Sequence, residues 1–218
     1  MTTADFLIET HPQADAGGAS ELWLVTQSTC QSWMAAREPA VRAWLESTGF
    51  KADRQQLAVW PGPDGRVQGA ALGLGTLESV DALELWHVAG LPEKLPPDTR
   101  WRLAGAAPGA AAVGTVALGW AYGSYRFEKY KSAASNAGRR ARLVVASTPE
   151  VERAVRIAAA CAMARDYVNM PAIEMHPGRL AAEALQLANR HGADAREISG
   201  ESLATDFPAI QAVGQAAA

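Results

Sequence analysis

The most suggestive spacing in this chain is Gly109-Ala-Ala-Ala-Val-Gly114-Thr115. Two glycines at that separation are the frame in which a phosphate-binding loop wraps its backbone N–H groups around a nucleotide. Such a loop needs a lysine directly after the second glycine, to reach the β- and γ-phosphates, and Thr115 stands there instead. Without that charge, the small residues read as a helix-packing surface. Gly73-Leu74-Gly75 begins a dinucleotide fingerprint at the end of a strand pattern. Its third glycine position is Glu78, whose carboxylate would oppose a pyrophosphate. This segment reads as a turn.

The histidines His11, His87, His176 and His191 include no pair at metal-ligand spacing, and HExxH is absent. His87, beside Trp86, is expected to be a surface or half-buried packing residue. His191, beside Gly192, suits a helix C-terminus, where a partial positive charge is favourable. His176 precedes Pro177 and reads as a loop residue. The carboxylates are scattered: Asp64 falls in a turn, Glu183 on a helical face, and Asp166 near a helix end. A two-metal hydrolase needs several carboxylates converging on two cations, with a basic residue nearby. Ser124, Ser135 and Cys161 lack a neighbouring base or nucleophile-elbow context. No catalytic, metal-binding or cofactor-binding residue is assigned within these residues.

Net charge of −3 argues against a general nucleic-acid binder. The local basic cluster Arg139, Arg140 and Arg142 is read as a solvated strand start. Hydrophobic content of 49% with 20% charged residues is ordinary globular composition for a 218-residue chain. The Ala104–Tyr125 run is Ala- and Gly-rich and lacks the bulk of a membrane span. Acids near the N-terminus do not suit a signal peptide. Cys30 and Cys161 do not suggest a disulfide framework. A cytoplasmic location is expected.

Alternating strand and helix patterns imply an α/β layered fold. Residues 22–26 read as a buried strand. Ser32–Gly49 reads as helix broken at Pro39, with Val41, Trp44 and Leu45 facing the core. Gln56–Trp60 and Val67–Leu74 flank a Pro- and Gly-rich turn and read as a β-hairpin, so the sheet is mixed. Ser79 and Asp81 are candidate caps of a helix ending near Gly90. A strand follows at Trp101–Gly105, then a small-residue helix over Gly109–Arg126, expected to lie close against the sheet. Leu143–Ala146 is another strand. Ser147-Thr148-Pro149-Glu150 starts a helix running to about Tyr167. A further helix begins after Pro177 and stops near Gly192, before a short strand pattern; Phe207-Pro208 is expected to bury an aromatic at a turn.

Two stretches carry a family likeness. The first is Gly119-Trp120-Ala121-Tyr122-Gly123-Ser124-Tyr125-Arg126-Phe127, with Glu128 to Lys131. The second runs from Ala164-Arg165-Asp166 through Asn169-Met170-Pro171, Pro177 and Leu180-Ala181 to Phe207-Pro208-Ala209-Ile210 and Ala212-Val213-Gly214. Together they resemble the leucyl (cytosol) aminopeptidases, two-metal peptidases, at the close of the N-terminal domain and the start of the catalytic domain. The resemblance implies a three-layer α/β/α macro-like N-terminal domain with a mixed sheet over residues 1–146. Residues 147–218 would be a linker helix and the incomplete start of an α/β zinc-peptidase-like catalytic domain.

It further implies a parent enzyme that removes N-terminal residues from peptides, uses two divalent metals (zinc or manganese), and assembles as a homohexamer. The family's metal-binding lysine and carboxylates, in DTGG-like and NTDAEGR-like segments, have no counterpart here. The resemblance places them beyond Ala218, so the chain alone is expected to be inactive and to bind no metal. Neither a membrane nor nucleic acid is expected as a partner. Asn169, Pro171 and Arg126 are read as structural, Arg126 pairing with a carboxylate or stacking on a ring. Apolar surface is expected to lie uncovered near residues 168–218. The alternatives are a free-standing module that holds a nucleotide or ADP-ribose-like ligand, and an assembly or DNA-contact role.

Overall fold

The computed structural model describes residues 4–12, 17–105, 108–130 and 140–215. The chain divides into two compact units, Met1–Arg165 and Asp166–Ala218.

The first unit is built on a six-stranded sheet of order β1-β6-β5-β2-β4-β3. Its strands are β1 (Ile8–His11), β2 (Ser20–Val25), β3 (Leu57–Pro61), β4 (Val67–Gly73), β5 (Arg100–Ala104) and β6 (Arg142–Ala146). All neighbouring pairs are parallel except β3 with β4, which is the expected hairpin. Strand β1 was not anticipated. Ile8-Glu9-Thr10-His11 has only one buried residue, too weak a pattern to read from periodicity, and it is held as an edge strand on β6.

Alternation along the strands separates two cores. Leu22, Ala70, Leu72, Trp101, Leu143 and Val145 point into the larger core, with Val116 and Trp120 of α5 (Ala110–Ser124) and Val151 of α6 (Pro149–Asn169). Val25, Ala58, Trp60 and Ala71 point into the smaller one, covered by α1 (Gln27–Ala35) and α2 (Pro39–Ser47). This is the three-layer α/β/α arrangement expected. Pro39 opens α2 as predicted, but α1 begins five residues before Ser32. Leu45 is fully buried and Val41 packs against the core, whereas Trp44 is 43% exposed. Its indole N–H donates to the Val59 carbonyl of β3 at 3.0 Å.

The helix expected to be capped by Ser79 or Asp81 is replaced by shorter pieces. Val80–Ala82 is a 3-10 turn, and Ser79 makes no side-chain cap. The next pieces are α3 (Leu85–Val88) and α4 (Leu91–Lys94). Glu84 and His87 cap α3 reciprocally, and Asp81 instead accepts the Gly109 N–H at 2.7 Å.

Helix α5 lacks bulk for a second reason than the one expected. Its glycines face helices, not strands. A Cβ on Gly119 would collide with the Leu85 carbonyl and Val88, one on Gly123 with the Ala89 carbonyl, and one on Gly114 would come 3.0 Å from Glu150 Cβ. These three positions let α5 touch α3 and α6 along their backbones. Helix α6 starts at Pro149 as predicted, and Thr148 is the residue that caps it, its Oγ1 accepting the Val151 N–H at 3.3 Å.

In the second unit, α7 (Pro177–Arg190), α8 (Glu201–Asp206) and α9 (Pro208–Gln215) contain no buried residue. Val168, Ile173 and Val213 are 84%, 88% and 76% exposed, the uncovered apolar surface anticipated. Gly192 stops α7 at φ +64. The strand expected after it is absent from residues 193–199, and Phe207 is exposed, not buried. Among the described residues, this unit contains no strand with which the segment could pair.

Candidate functional site

Open α/β sheets bind ligands in the crevice beyond the carboxyl ends of their strands. Here the ends of β2 and β4 open onto a hollow of about 290 Å³, lined by Gln27, Arg54, Gly75, Thr76, Glu84 and His87. Three backbone donors of the glycine turn at its floor are already engaged. The N–H groups of Gly73, Leu74 and Gly75 donate to the carbonyls of Gln56, Val25 and Ala52 at 2.8, 2.8 and 2.9 Å. The side chains are engaged too: Gln27 donates to Asp53 at 2.7 Å, and Arg54 pairs with Glu84 at 3.8 Å. A phosphate would have to displace these bonds. Gly73 is required because a Cβ would strike the Ala52–Asp53 backbone, and Gly75 because φ is +70. The turn reading of Gly73-Leu74-Gly75 therefore has a packing basis, as does the helix reading of Gly109–Thr115.

His87 is 4% exposed, so the surface or half-buried placement expected is corrected. Its Nδ1 lies 3.1 Å from the Glu84 backbone N and O, which makes it a cap. His176 is likewise more than a loop residue: it is the N-cap of α7, accepting the Arg179 N–H at Nδ1. His191 is the C-cap of α7, as predicted. Asp64 accepts the Arg66 N–H within its turn. Glu183 accepts from Tyr167 at 3.1 Å and pairs with Arg179 at 2.6 Å. Burial, reinforced by the bond to Glu183, pushes the Tyr167 phenol up from its ordinary value. Among the described residues, no three His, Cys, Asp or Glu side chains come together as metal ligands.

Ser124 is buried with Oγ 2.8 Å from the carbonyls of both Phe6 and Trp120. Ser135 and Arg139 lie outside the described residues. Arg140 is not a solvated strand start. It is half-buried and donates through Nη1 to the Ser124 carbonyl at 2.7 Å, neutralising the C-terminal end of α5. Burial, helped by Arg126, lowers its proton affinity. Arg126 pairs with Glu93 at 2.6 Å.

Cys161 faces Tyr122, with Sγ and the phenol oxygen 2.9 Å apart. That hydrogen bond, with burial, pushes the Tyr122 phenol up. Cys30 is buried, and burial with the nearby Asp53 raises its thiol. An aromatic thiol reagent is therefore expected to label half-buried Cys161 in a fast phase and Cys30 only on unfolding. Cys161→Ser should abolish the fast phase; labelling of Cys30 at the same rate would contradict the burial described.

The residues sequence reasoning missed are Trp23, Trp33, Arg37 and Trp60, which meet under α1. The Trp33-to-Arg37 spacing of one helical turn was the available signal.

A sequence profile of the M17 aminopeptidase N-terminal domain matches residues 21–146. A probable cytosol aminopeptidase of Corynebacterium efficiens is 27% identical over 191 residues, covering 82% of this chain and 37% of that protein. One from Rhodococcus opacus is 32% identical over 139 residues, covering 56% of this chain and 26% of the relative. The chain thus spans well under half the length of these relatives. The crystal structure of a cytosol aminopeptidase from Coxiella burnetii superimposes with a TM-score of 0.80 at 21% identity, over 94% of this chain and 42% of that one. The bottromycin maturation enzyme BotP in complex with Mn superimposes at 0.65 with 25% identity, over 87% of this chain and 40% of BotP. The chain belongs to the M17 leucyl (cytosol) aminopeptidase family, and its first unit is built as that family's N-terminal domain.

Proposed function

We propose that this chain is the N-terminal part of a metal-dependent aminopeptidase that releases N-terminal residues from peptides. The observation that carries the reading is the family profile over residues 21–146, on a chain that aligns with only 37% of a curated cytosol aminopeptidase. Its role is architectural: a folded α/β/α body, followed by a linker helix and the beginning of a catalytic domain over residues 147–218. The complete enzyme is cytoplasmic and hexameric in this reading, with two manganese or zinc ions.

The described residues do not fit a two-metal centre. Glu183 is engaged by Arg179 and Tyr167, Glu84 by Arg54 and the α3 cap, and Asp53 by Gln27. No step of peptide hydrolysis is assigned to this chain; when bound elsewhere in the enzyme, the cations would polarise the attacking water and the scissile carbonyl. A nucleotide or ADP-ribose-like ligand is disfavoured, because the N–H groups of Gly73, Leu74 and Gly75 at the strand ends are engaged and the Glu84 carboxylate lines the same crevice.

The test is the pure chain with leucine p-nitroanilide and added manganese or zinc. Release of nitroaniline is expected to match the metal-only blank. Turnover that follows the protein concentration and disappears with chelator would overturn the assignment of the chemistry to other residues.

A further inference from the structure

The smaller core opens at one side into a cleft of about 410 Å³, in the size range of small-molecule sites. Glu21, Trp23, Arg37, Glu38, Trp60 and Arg102 line it. Arg37 is fixed there by three contacts. Its guanidinium carbon lies 4.0 Å from the Trp23 ring centroid and 5.2 Å from that of Trp33, and its Nε donates to the Trp33 carbonyl at 3.3 Å. Trp33 is in turn braced by Trp60 and Phe50, with ring centroids 6.4 and 6.0 Å away. The cation is thus held on an aromatic platform with its two terminal nitrogens unbonded among the described residues.

Among the described residues it also makes no ion pair. On the same face of the sheet, Arg100 pairs with Glu9 at 2.7 Å and Arg102 with Glu21 at 2.7 Å. No carboxylate of the described residues pairs with Arg37. A planar guanidinium immobilised by stacking and presenting a free fork is matched to a carboxylate, which it can bind through two parallel hydrogen bonds. Glu21 and Glu38 on the same cleft oppose a dianion or a polyanionic strand, so a phosphate or nucleic acid is disfavoured. The buried Trp60 ring and the Trp23 indole add an apolar wall.

We propose that this cleft binds a small carboxylate that carries an adjoining apolar group, the carboxylate on Arg37 and the apolar group against the indoles of Trp23 and Trp60. Two sources offer that chemistry, a free hydrophobic amino acid and the C-terminal residue of a peptide. This site is independent of where the peptidase chemistry lies.

The experiment titrates the whole chain with L-leucine, N-acetyl-L-leucine and L-leucinamide, following the indole N–H resonances assigned by single Trp→Phe variants. L-Leucine reports the free amino acid, N-acetyl-L-leucine a peptide terminus, and the amide is the control without a carboxylate. Saturable shifts of the Trp23 and Trp33 resonances are expected with at least one carboxylate and not with the amide. Arg37→Gln should weaken binding about tenfold or more, the scale of a charge-assisted pair, and Arg37→Lys should fall between. Gln68 lies exposed on the rim, so Gln68→Glu leaves folding alone and should also weaken binding by adding a like charge. No saturable shift up to about 10 mM, equal shifts with the amide, or undiminished binding in both Arg37→Gln and Gln68→Glu overturns the proposal.

Discussion

Gly123→Ala is expected to destabilise the chain by about 3 kcal/mol, against the helix-propensity gain of about 1 kcal/mol that the same change brings in an open helix. Gly123 lies near the end of α5, where an added methyl runs into the Ala89 carbonyl oxygen. That obstacle is backbone, at the C-cap of α3, whose own N–H is bonded to the Leu85 carbonyl at 3.1 Å. No side-chain rotation relieves it; α3 would have to move off α5. Gly119→Ala meets the Leu85 carbonyl and Val88 and should cost a similar amount. Gly114→Ala meets only Glu150 at 3.0 Å and should lie within about 1 kcal/mol of the parent. Urea unfolding of the three variants gives the ranking. If Gly123→Ala raises the midpoint, the close approach of α3 to α5 is wrong.

Trp101→Ala is expected to cost about 3–5 kcal/mol, the range for removing a fully buried aromatic. Trp101 is 0% exposed in β5, between β6 and β2, so the cavity would open in the larger core against the middle of the sheet. Trp101→Phe separates volume from hydrogen bonding, because the indole N–H donates to Thr99 Oγ1 at 2.6 Å. Losing that bond should add about 1 kcal/mol to the volume term. Trp120 is the internal comparison: it is equally buried, but its Nε1 has no partner among the described residues. Trp120→Phe deletes a buried, unbonded donor and should be the milder of the two Phe substitutions. Thermal or urea unfolding decides it. Equal losses at the two sites would mean the Thr99 bond contributes nothing.

The parts of the fold legible in the sequence were those marked by strong local chemistry. The Pro- and Gly-rich turn at 61–65 announced the β3–β4 hairpin, Thr148-Pro149 the start of α6, and Gly192 the end of α7. Segments shaped by tertiary contact were not legible. β1 is four residues whose pairing partner lies more than 130 residues away, and α3 is a single turn fixed by a reciprocal Glu84–His87 cap. The small residues of α5 were recognised as a packing surface, and its alanines do share the core with the strands, but its glycines meet α3 and α6, since glycine spacing says how close a neighbour comes and not which one. At the candidate sites, sequence reasoning could dismiss loops that lacked a required charge, as at Thr115 and Glu78. It could not see Arg37 brought onto Trp23, because those residues sit on a strand and beyond a helix end, joined only by the fold.

The bond from the Trp44 indole to the Val59 carbonyl bears on how this protein meets its neighbours. β3 is the outermost strand on its side, so its outward carbonyls and N–H groups would otherwise be a template for another chain. One of those acceptors is already filled from within the molecule, and the strand ends at Pro61, which offers no N–H. A foreign strand adding here would first have to evict an indole from α2. Fibrillar sheet growth through β3 is thereby discouraged without any charged residue on the strand itself.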